Sequence, residues 1–277
     1  MNLESFNTSK ESLVPLLALN NKSNKNIIIF PTDKEAIEFS TDFSNLNKNI
    51  YHLPSWDTLS YDSFAPSLDI QGKRLEIAHL LLTTDTYNIA TSIKAISQRI
   101  YFEELEICKI SLNEEIDFDL LIENLIHLKY QRKDRVESKG SFAIRGGQLD
   151  VFPINYDLPL RVIFDGDLVN EIKTFDTISQ RSVSEKKDIL IVPATELFQI
   201  KHSDILNLSS NKKENLDDYE LFQYSQNLDL EKCLLDLTSN VALHIVDKNI
   251  VDNQLKEIID IEKDTFENLK QYFSLEI

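Results

Sequence analysis

Short apolar runs alternate with helical patterns over the first part of the chain. Ile27–Phe30 is an unbroken apolar run ended by Pro31, which is typical of a strand buried in a parallel sheet. Either Thr32 or Asp33 can cap the helix that follows. The predicted apolar face of that helix consists of three residues, Ala36, Ile37 and Phe39.

The same alternation continues towards residue 100. Strand patterns cover Asn49–Leu53 and Tyr87–Thr91, and helical spacing covers Ile70–Leu82 and Ile93–Ile100. Strands that alternate with helices along the chain indicate a parallel α/β sheet.

The pattern changes near Cys108. An amphipathic helix is predicted over Asp117–Tyr130, with its apolar side at Leu120, Leu121, Leu125 and Leu128. Four strand-like runs follow, separated in two places by hairpin turn signals at Gly146–Gly147 and Asp165–Gly166. The runs are Ser141–Ile144, Gln148–Phe152, Leu160–Phe164 and Glu171–Phe175.

These patterns predict an α/β protein with an α+β domain inserted into it. The first part of the α/β domain covers residues 1–105, the inserted domain 106–188, and the return to the α/β domain 189–277. Ile189–Pro193 looks like a strand that rejoins the first sheet, and Val241–Val246 is predicted to be a further strand. A last helix is predicted over Asn253–Phe273.

Charge narrows the classes of partner. The chain has 29 basic and 46 acidic residues and a formal net charge of −17, so its surface repels phosphate at long range. Direct nucleic-acid binding by this chain alone is therefore not expected, and a protein partner fits better. The local exception is the basic run Gln131–Lys139, which is either a solvated turn or the basic rim of an interface.

Several other classes of protein are not expected. The N-terminus has no basic and apolar signal pattern, and no apolar run reaches the ~18 residues of a membrane span, so the chain is predicted to be cytoplasmic. Cys108 and Cys233 are too few and too far apart for a zinc site or a disulfide framework, and they are predicted to be buried, inert thiols. No metal or cofactor is expected.

No catalytic residue is assigned. In a nucleotide-binding domain, the loop before the first helix needs glycines so that its N–H groups can wrap a phosphate. The matching segment Asn7–Ser12 contains Lys10 but no glycine, so ATP hydrolysis is not expected. The alternative is an ATP-dependent, helicase-like enzyme domain that still binds nucleotide through Lys10. His79 and His244 lie in apolar patterns and are predicted to be core residues.

Three separated motifs carry a family resemblance over about 27–195. They are LPSWDTLSYDSFAPSLDI at 53–70, RGGQLDVFP at 145–153 and FDTISQRS at 175–182. In this order they resemble the N-terminal region of bacterial transcription-repair coupling factors (Mfd), the region that is similar to the excinuclease protein UvrB. The resemblance implies a degenerate P-loop or helicase-like sheet with an inserted domain. It places the family's motor outside these residues. The chain is then expected to be either a fragment or a shortened protein.

The resemblance implies a non-catalytic adaptor of transcription-coupled nucleotide excision repair that recruits the excinuclease protein UvrA through the inserted domain. Arg145 and Arg161 fall on arginines that the family uses for this contact. A family aromatic aligns with Asp165, so either Phe164 replaces it or this anchor is lost. A third interpretation is a decaying remnant without a partner.

Structural roles for the same residues stay open. Arg145 is alternatively a solvated hairpin residue, and Arg161 alternatively pairs with Asp176 or Glu171. Arg181 is predicted to close the turn at the end of FDTISQRS. The aromatic residues of the first motif, Trp56, Tyr61 and Phe64, are predicted to pack against the sheet rather than to stack on bases.

Overall fold

The computed structural model of the protein describes residues 4–8, 24–44, 49–58, 64–100, 104–199 and 233–261. It is a mixed α/β structure with sheets of five, six and two strands. The chain divides into two compact units. The first unit consists of Met1–Asp57, Ile77–Ile100 and Asp229–Ile277, and the second of Thr58–Glu76 and Tyr101–Leu228.

The first unit contains the five-stranded sheet, in which each neighbouring pair is parallel. The strands are β1 (Glu4–Thr8), β2 (Lys25–Phe30), β3 (Tyr51–Leu53), β4 (Tyr87–Ser92) and β13 (Ala242–Val246). Their order is β1-β13-β2-β4-β3. The prediction of a parallel α/β sheet is confirmed, and Ile27–Phe30 is buried at its centre because helices cover both faces of such sheets.

Helix α1 (Asp33–Ser44) follows β2 and begins with a reciprocal cap. The backbone N–H of Glu35 donates to Thr32 Oγ1 at 3.3 Å, and Thr32 Oγ1 donates to Glu35 Oε2 at 3.0 Å. Thr32 is therefore the residue that caps the helix. Asp33 instead accepts hydrogen bonds from Ser55, on the segment after β3, and from Ser92 at the end of β4.

Two predicted apolar faces were wrong at one position each. Ile37 is 48% exposed, whereas Ala36, Phe39 and Phe43 of α1 are buried. Residues three and four apart share a helix face, so Phe43 belongs to the buried stripe and Ile37 does not. In α4 (Phe118–His127), Leu120 is likewise 54% exposed, and the buried leucines are Leu121, Leu125 and, just after the helix, Leu128.

Each remaining helix of the first unit directly precedes or follows a strand of the sheet along the chain. Helix α3 (Ile93–Ser97) follows β4 and starts at Ser92, whose hydroxyl accepts from Ala95 N. A short 3₁₀ helix covers Leu234–Leu237, and α5 covers Lys248–Ile261. Helix α5 begins five residues before the predicted start at Asn253, and the rest of that predicted helix lies outside the described residues.

The second unit contains the six-stranded sheet. Its strands are β6 (Gln131–Arg132), β7 (Ser141–Arg145), β8 (Gln148–Phe152), β9 (Leu160–Asp165), β10 (Leu168–Phe175) and β11 (Ser182–Glu185). Their order is β11-β10-β9-β8-β7-β6, and every neighbouring pair except β6 and β7 is antiparallel. The four predicted runs are all strands of this sheet.

The prediction that Ile189–Pro193 rejoins the first sheet was wrong. Strand β12 (Asp188–Ile191) pairs antiparallel with β5 (Cys108–Ser111), and Ile189 lies opposite Ile110. An apolar run fits any buried strand position, so its pattern does not select the partner strand. Residues 189–199 therefore group with the second unit rather than with the first.

Helix α2 (Leu68–Thr83) begins in the second unit and ends in the first. Its first turns are held by a buried ion pair, in which Arg74 Nε lies 2.8 Å from Glu196 Oε1. Gln71 Oε1 accepts from the backbone N–H of Glu196 and from Thr195 Oγ1, each at 2.9 Å. Residues 58–76 consequently belong with the second unit, which the predicted boundary at 105 did not anticipate.

Three polar side chains on neighbouring strands of the first sheet form a row of hydrogen bonds that begins at His244. Its ring Nε2 lies 3.1 Å from Asn26 Oδ1, and Asn26 Nδ2 donates to Asn88 Oδ1 at 3.1 Å. His244 is fully buried, so it is a core residue as predicted, and burial lowers the pKa of its imidazole.

Replacing Gly72 by alanine should destabilise the protein. A Cβ at Gly72 would lie 2.4 Å from the carbonyl oxygen of Ile154, which is backbone and cannot turn aside. Glycine to alanine within a helix normally gains up to about 1 kcal/mol, so the clash reverses the sign, and we expect a loss of roughly 2 kcal/mol. Urea unfolding measures this loss. Lys73→Ala, at the exposed neighbouring position, should stay within about 0.5 kcal/mol of the wild type.

Acidification should destabilise the protein through His244. Burial lowers the pKa of His244 in the folded protein below the ordinary pKa of histidine. When the pH falls below that ordinary pKa, the unfolded chain therefore takes up a proton at His244 before the folded protein does. The free energy of unfolding then decreases. The pKa of half-buried His79 is lowered in the same direction. Urea midpoints at about pH 7.5 and about pH 5.5 should differ less in His244→Asn than in the wild type. Equal differences in both proteins would contradict the assignment.

Candidate protein-binding face

Strand register places polar and charged residues on one side of the six-stranded sheet. Arg145 lies opposite Gln148, Gln148 opposite Ile163, and Ile163 opposite Glu171. The next row along the strands contains Ala143, Asp150, Arg161, Lys173 and Glu185. Because side chains alternate between faces, the residues of these two rows lie on the same face. We call it the open face, although its second row is largely covered, since Ala143 and Asp150 are 3% and 4% exposed.

The turn after β7 positions Arg145. Gly146 has φ of +60°, and a Cβ at Gly147 would lie 2.8 Å from the carbonyl oxygen of Phe164. The two glycines thus allow a tight turn against β9. Arg145 is exposed, and its Nη2 donates to the carbonyl oxygen of Asp134 at 3.1 Å. This bond orients the guanidinium and leaves most of its N–H donors available to a partner.

Arg161 is held more firmly than Arg145. Its Nε and Nη2 donate to the two carboxylate oxygens of Asp150 at 2.7 and 2.9 Å, and its guanidinium lies 4.4 Å from the ring centre of Phe175. The carboxylate raises the pKa of Arg161, chiefly through the hydrogen bonds. An internal pair for Arg161 was foreseen with Asp176 or Glu171, but its carboxylate comes from Asp150, on the neighbouring strand.

Asp150 was missed by the sequence reasoning. It is 4% exposed, and besides the two bonds from Arg161 it accepts from Gln148 Nε2 at 3.0 and 3.1 Å. The loop between β8 and β9 is too long for its length to fix their register. The position of Asp150 opposite Arg161 therefore could not be derived from spacing. The sequence did indicate that Gln148 and Asp150, two residues apart in one strand, lie on the same face.

Phe164 lies on the face opposite Arg161 and is 7% exposed. Its ring packs edge-to-face on Phe118 of α4, with the ring centres 4.9 Å apart. The suggestion that Phe164 replaces an exposed aromatic anchor is wrong for this conformation, because a period-two strand directs Phe164 inward and leaves Asp165 exposed. The open face ends in a carboxylate at this position.

The basic run is partly structural. Arg135 Nη2 donates to the carbonyl oxygens of Thr177 and Ile178 at 2.8 and 3.3 Å. Lys139 pairs with Asp69 and donates to the carbonyl oxygen of Ile154 at 3.1 Å. Arg132 and Lys133 are exposed. The run is therefore more than a solvated turn, since two of its cations fasten other segments of the second unit.

The turn between β10 and β11 is closed by Asp176 and by backbone groups. Asp176 Oδ1 accepts from the backbone N–H and the hydroxyl of Ser179, both at 2.7 Å, and Asp176 N donates to the carbonyl oxygen of Arg181 at 3.0 Å. Gln180 has φ of +59°. Arg181 closes the turn through its carbonyl group, while the residue itself is exposed.

The aromatic motif at 53–70 spans both units, and its first part, at Trp56, has a structural role. Trp56 is 7% exposed, its backbone N–H donates to Gln98 Oε1 at 2.8 Å, and its carbonyl accepts from Lys94 Nζ at 3.2 Å. Phe64 is 60% exposed, which contradicts its predicted packing. Tyr61 and Lys10 lie outside the described residues.

Burial also suppresses the chemistry of the two thiols. Desolvation raises the pKa of Cys108 to about 11 and that of Cys233 to about 12, so both are protonated near neutral pH. Within the described ranges, no group of His, Cys, Asp and Glu could hold a metal ion. Nor does any helix there have the length and apolar content to cross a membrane.

Part of the second unit matches a known family of domains. Residues 108–197 match the family described as the UvrB interaction domain, and this segment contains both the open face and α4. The chain is also 32% identical over 148 residues to the UvrABC system protein B of Clostridium botulinum. The aligned segment covers 52% of this chain and 22% of that protein.

Longer similarities are to transcription-repair-coupling factors. The factor of Mycobacterium bovis is 30% identical over 169 residues, covering 57% of this chain and 14% of the relative. That of Escherichia coli K12 is 29% identical over 174 residues (61% and 15%), and that of Bacillus subtilis 25% over 289 residues (90% and 24%). The matched segments span only 14% to 24% of these factors. The resemblance to the UvrB-like region of transcription-repair coupling factors is confirmed.

Removing the carboxylate of Asp150 should destabilise the second unit. Asp150→Ala leaves the half-buried guanidinium of Arg161 without its counter-charge, and breaking such a pair costs roughly 2 to 4 kcal/mol. Asp165→Ala removes the same charge from the exposed end of β9 and should cost less than about 0.5 kcal/mol. Urea unfolding of both variants makes the comparison. Similar losses in the two would mean that the Arg161–Asp150 pair contributes little.

Proposed function

We propose that this chain is a non-catalytic adaptor of transcription-coupled nucleotide excision repair, and that its second unit binds UvrA. The observation that carries the proposal is the coincidence of two findings on one segment. Residues 108–197 match the UvrB interaction domain, and the sheet within them exposes Arg145 on its open face. The similarity to transcription-repair-coupling factors supports the same process.

The open face favours a protein partner with surface carboxylates. A guanidinium forms planar, bidentate bonds with a carboxylate and tolerates partial desolvation, which suits Arg145 and Arg161. The whole chain carries a net charge of −17, so its arginines are local exceptions that a partner's acidic groups can select. Asp165 at the edge of the face would repel carboxylates and favours contact with a polar or basic group there.

For the first unit we propose a degenerate sheet of P-loop or helicase type that acts as a scaffold. Its parallel order β1-β13-β2-β4-β3, with helices after β2 and β4, supports this class of fold. The segment Asn7–Ser12 contains no glycine to cradle a phosphate, which supports a role without ATP hydrolysis. Recruitment would then depend on the second unit alone.

Truncating Arg145 should weaken binding to UvrA without loss of stability. Arg145 is exposed and bonds only one backbone carbonyl within the described structure, so Arg145→Ala should alter the free energy of unfolding by less than about 0.5 kcal/mol. If it contacts a partner carboxylate, the dissociation constant should rise by about tenfold or more. Titration calorimetry with purified UvrA measures the effect.

Lys109→Ala is the matched control, because it removes one positive charge from the exposed side of β5, outside the six-stranded sheet. It should change the dissociation constant less than about twofold. Equal weakening by both variants would show that only overall charge matters. A folded wild-type chain that does not bind UvrA would overturn the proposed function.

A further inference from the structure

The guanidinium of Arg161 has two edges that can each bind a carboxylate, and the structure uses them unequally. The edge formed by Nε and Nη2 is occupied by Asp150 at 2.7 and 2.9 Å. These short, charge-assisted bonds and the ring of Phe175 fix the plane of the group.

The second edge, formed by Nη1 and Nη2, is held only weakly. Nη1 donates to the carbonyl oxygen of Gln180 at 3.3 Å, and Nη2 donates to Gln180 Oε1 at 3.4 Å. Both acceptors are neutral, and both distances are at the long end for hydrogen bonds. One residue of the turn between β10 and β11 thus covers the edge that Asp150 leaves open. The Gln180 side chain is itself held in that turn, because its Nε2 donates to the carbonyl oxygen of Thr177 at 2.8 Å.

We propose that Asp150 positions Arg161 for recognition and that Gln180 is a placeholder, which yields the Nη1/Nη2 edge to a carboxylate of the bound partner. The inference rests on the proposed function and specifies its chemistry: the partner inserts an Asp or Glu side chain beside the turn. A carboxylate replaces two long neutral contacts by a bidentate, charge-assisted pair. Asp150 is then a positioning residue that stays paired in the complex.

The geometry also explains why Arg161 need not leave its internal partner to bind. A single carboxylate at each edge satisfies a planar guanidinium from two sides. Arg161 is already ordered by Asp150 and Phe175, so little side-chain entropy remains to be lost when the partner docks. Lysine at this position would lack the second edge altogether.

Gln180→Glu tests the proposal directly. The substituted carboxylate has the same length and backbone preference as Gln180 and can fill the Nη1/Nη2 edge from within the chain, and it loses the bond that Gln180 Nε2 donates to the carbonyl oxygen of Thr177. We expect a thermal midpoint close to that of the wild type, because the new ion pair with Arg161 offsets the lost bond to Thr177, together with binding to purified UvrA weakened by about tenfold or more. A purely structural role of Gln180 would not separate stability from binding in this way.

Asn253→Asp is the control for charge, because it makes the same change from amide to carboxylate at an exposed position of α5, in the first unit. It should leave the dissociation constant within about twofold of the wild type. Gln180→Gly removes the placeholder side chain and fits the positive φ, so it should bind UvrA as tightly as the wild type or more tightly.

The outcomes separate the inference from the proposed function. If the wild type and Gln180→Glu bind UvrA equally, the Nη1/Nη2 edge is not used and the inference is wrong, while recruitment of UvrA stands. If Gln180→Gly binds markedly more weakly, the partner needs Gln180 itself, and the placeholder role is again wrong. If the folded wild type does not bind, both fail.

Discussion

The second unit depends on a buried ion pair between segments far apart in the chain. Arg74 and Glu196 are 2% and 3% exposed, and their contact sets the first turns of α2 against the segment after β12. Removing either partner, or separating the two segments, would leave an uncompensated buried charge. The ion pair therefore holds the two segments together. Gly72 makes this approach possible, because no side chain fits between α2 and the carbonyl of Ile154. Tyr130, whose hydroxyl donates to the carbonyl of Val192, fastens the same return segment.

A second buried carboxylate organises the open face in a different way. Asp150 lies in the middle of the sheet and accepts from both Gln148 and Arg161, so the charge of Arg161 is neutralised within the fold. Arg145, in contrast, bonds only a backbone carbonyl among the residues that the structure describes, and it lies at the edge of the face. The two arginines therefore differ in kind: one is a rigid, pre-paired group and the other is a charge available at the surface. Their truncations should not be expected to act alike, and a double variant would confuse stability with binding.

Local patterns determined most of the elements, whereas pairings between distant segments did not follow from them. The strand at Ile27–Phe30 and the hairpin at Gly146–Gly147 could be predicted, because apolar runs and turn glycines act over a few residues. The strand that pairs with Ile189–Ile191 could not be predicted, since an apolar run does not specify which strand it pairs with. In the site, Arg145 and Arg161 were foreseen by resemblance. Asp150 and Gln180 were not, because their roles arise from register and from a turn conformation.

The acidic composition and the arginine-bearing face are compatible because recognition is local. At physiological ionic strength, charges more than about 8 Å apart at the surface are largely screened, so the net charge of −17 has little influence on a contact once it forms. It does slow encounters with acidic partners and with nucleic acid. Arg161 is ordered in advance by Asp150 and Phe175, so in the proposed complex less side-chain entropy would be lost on binding, which would offset a slower association. In the proposed complex, specificity comes from the geometry of the contacts at Arg145 and Arg161 rather than from attraction between whole surfaces.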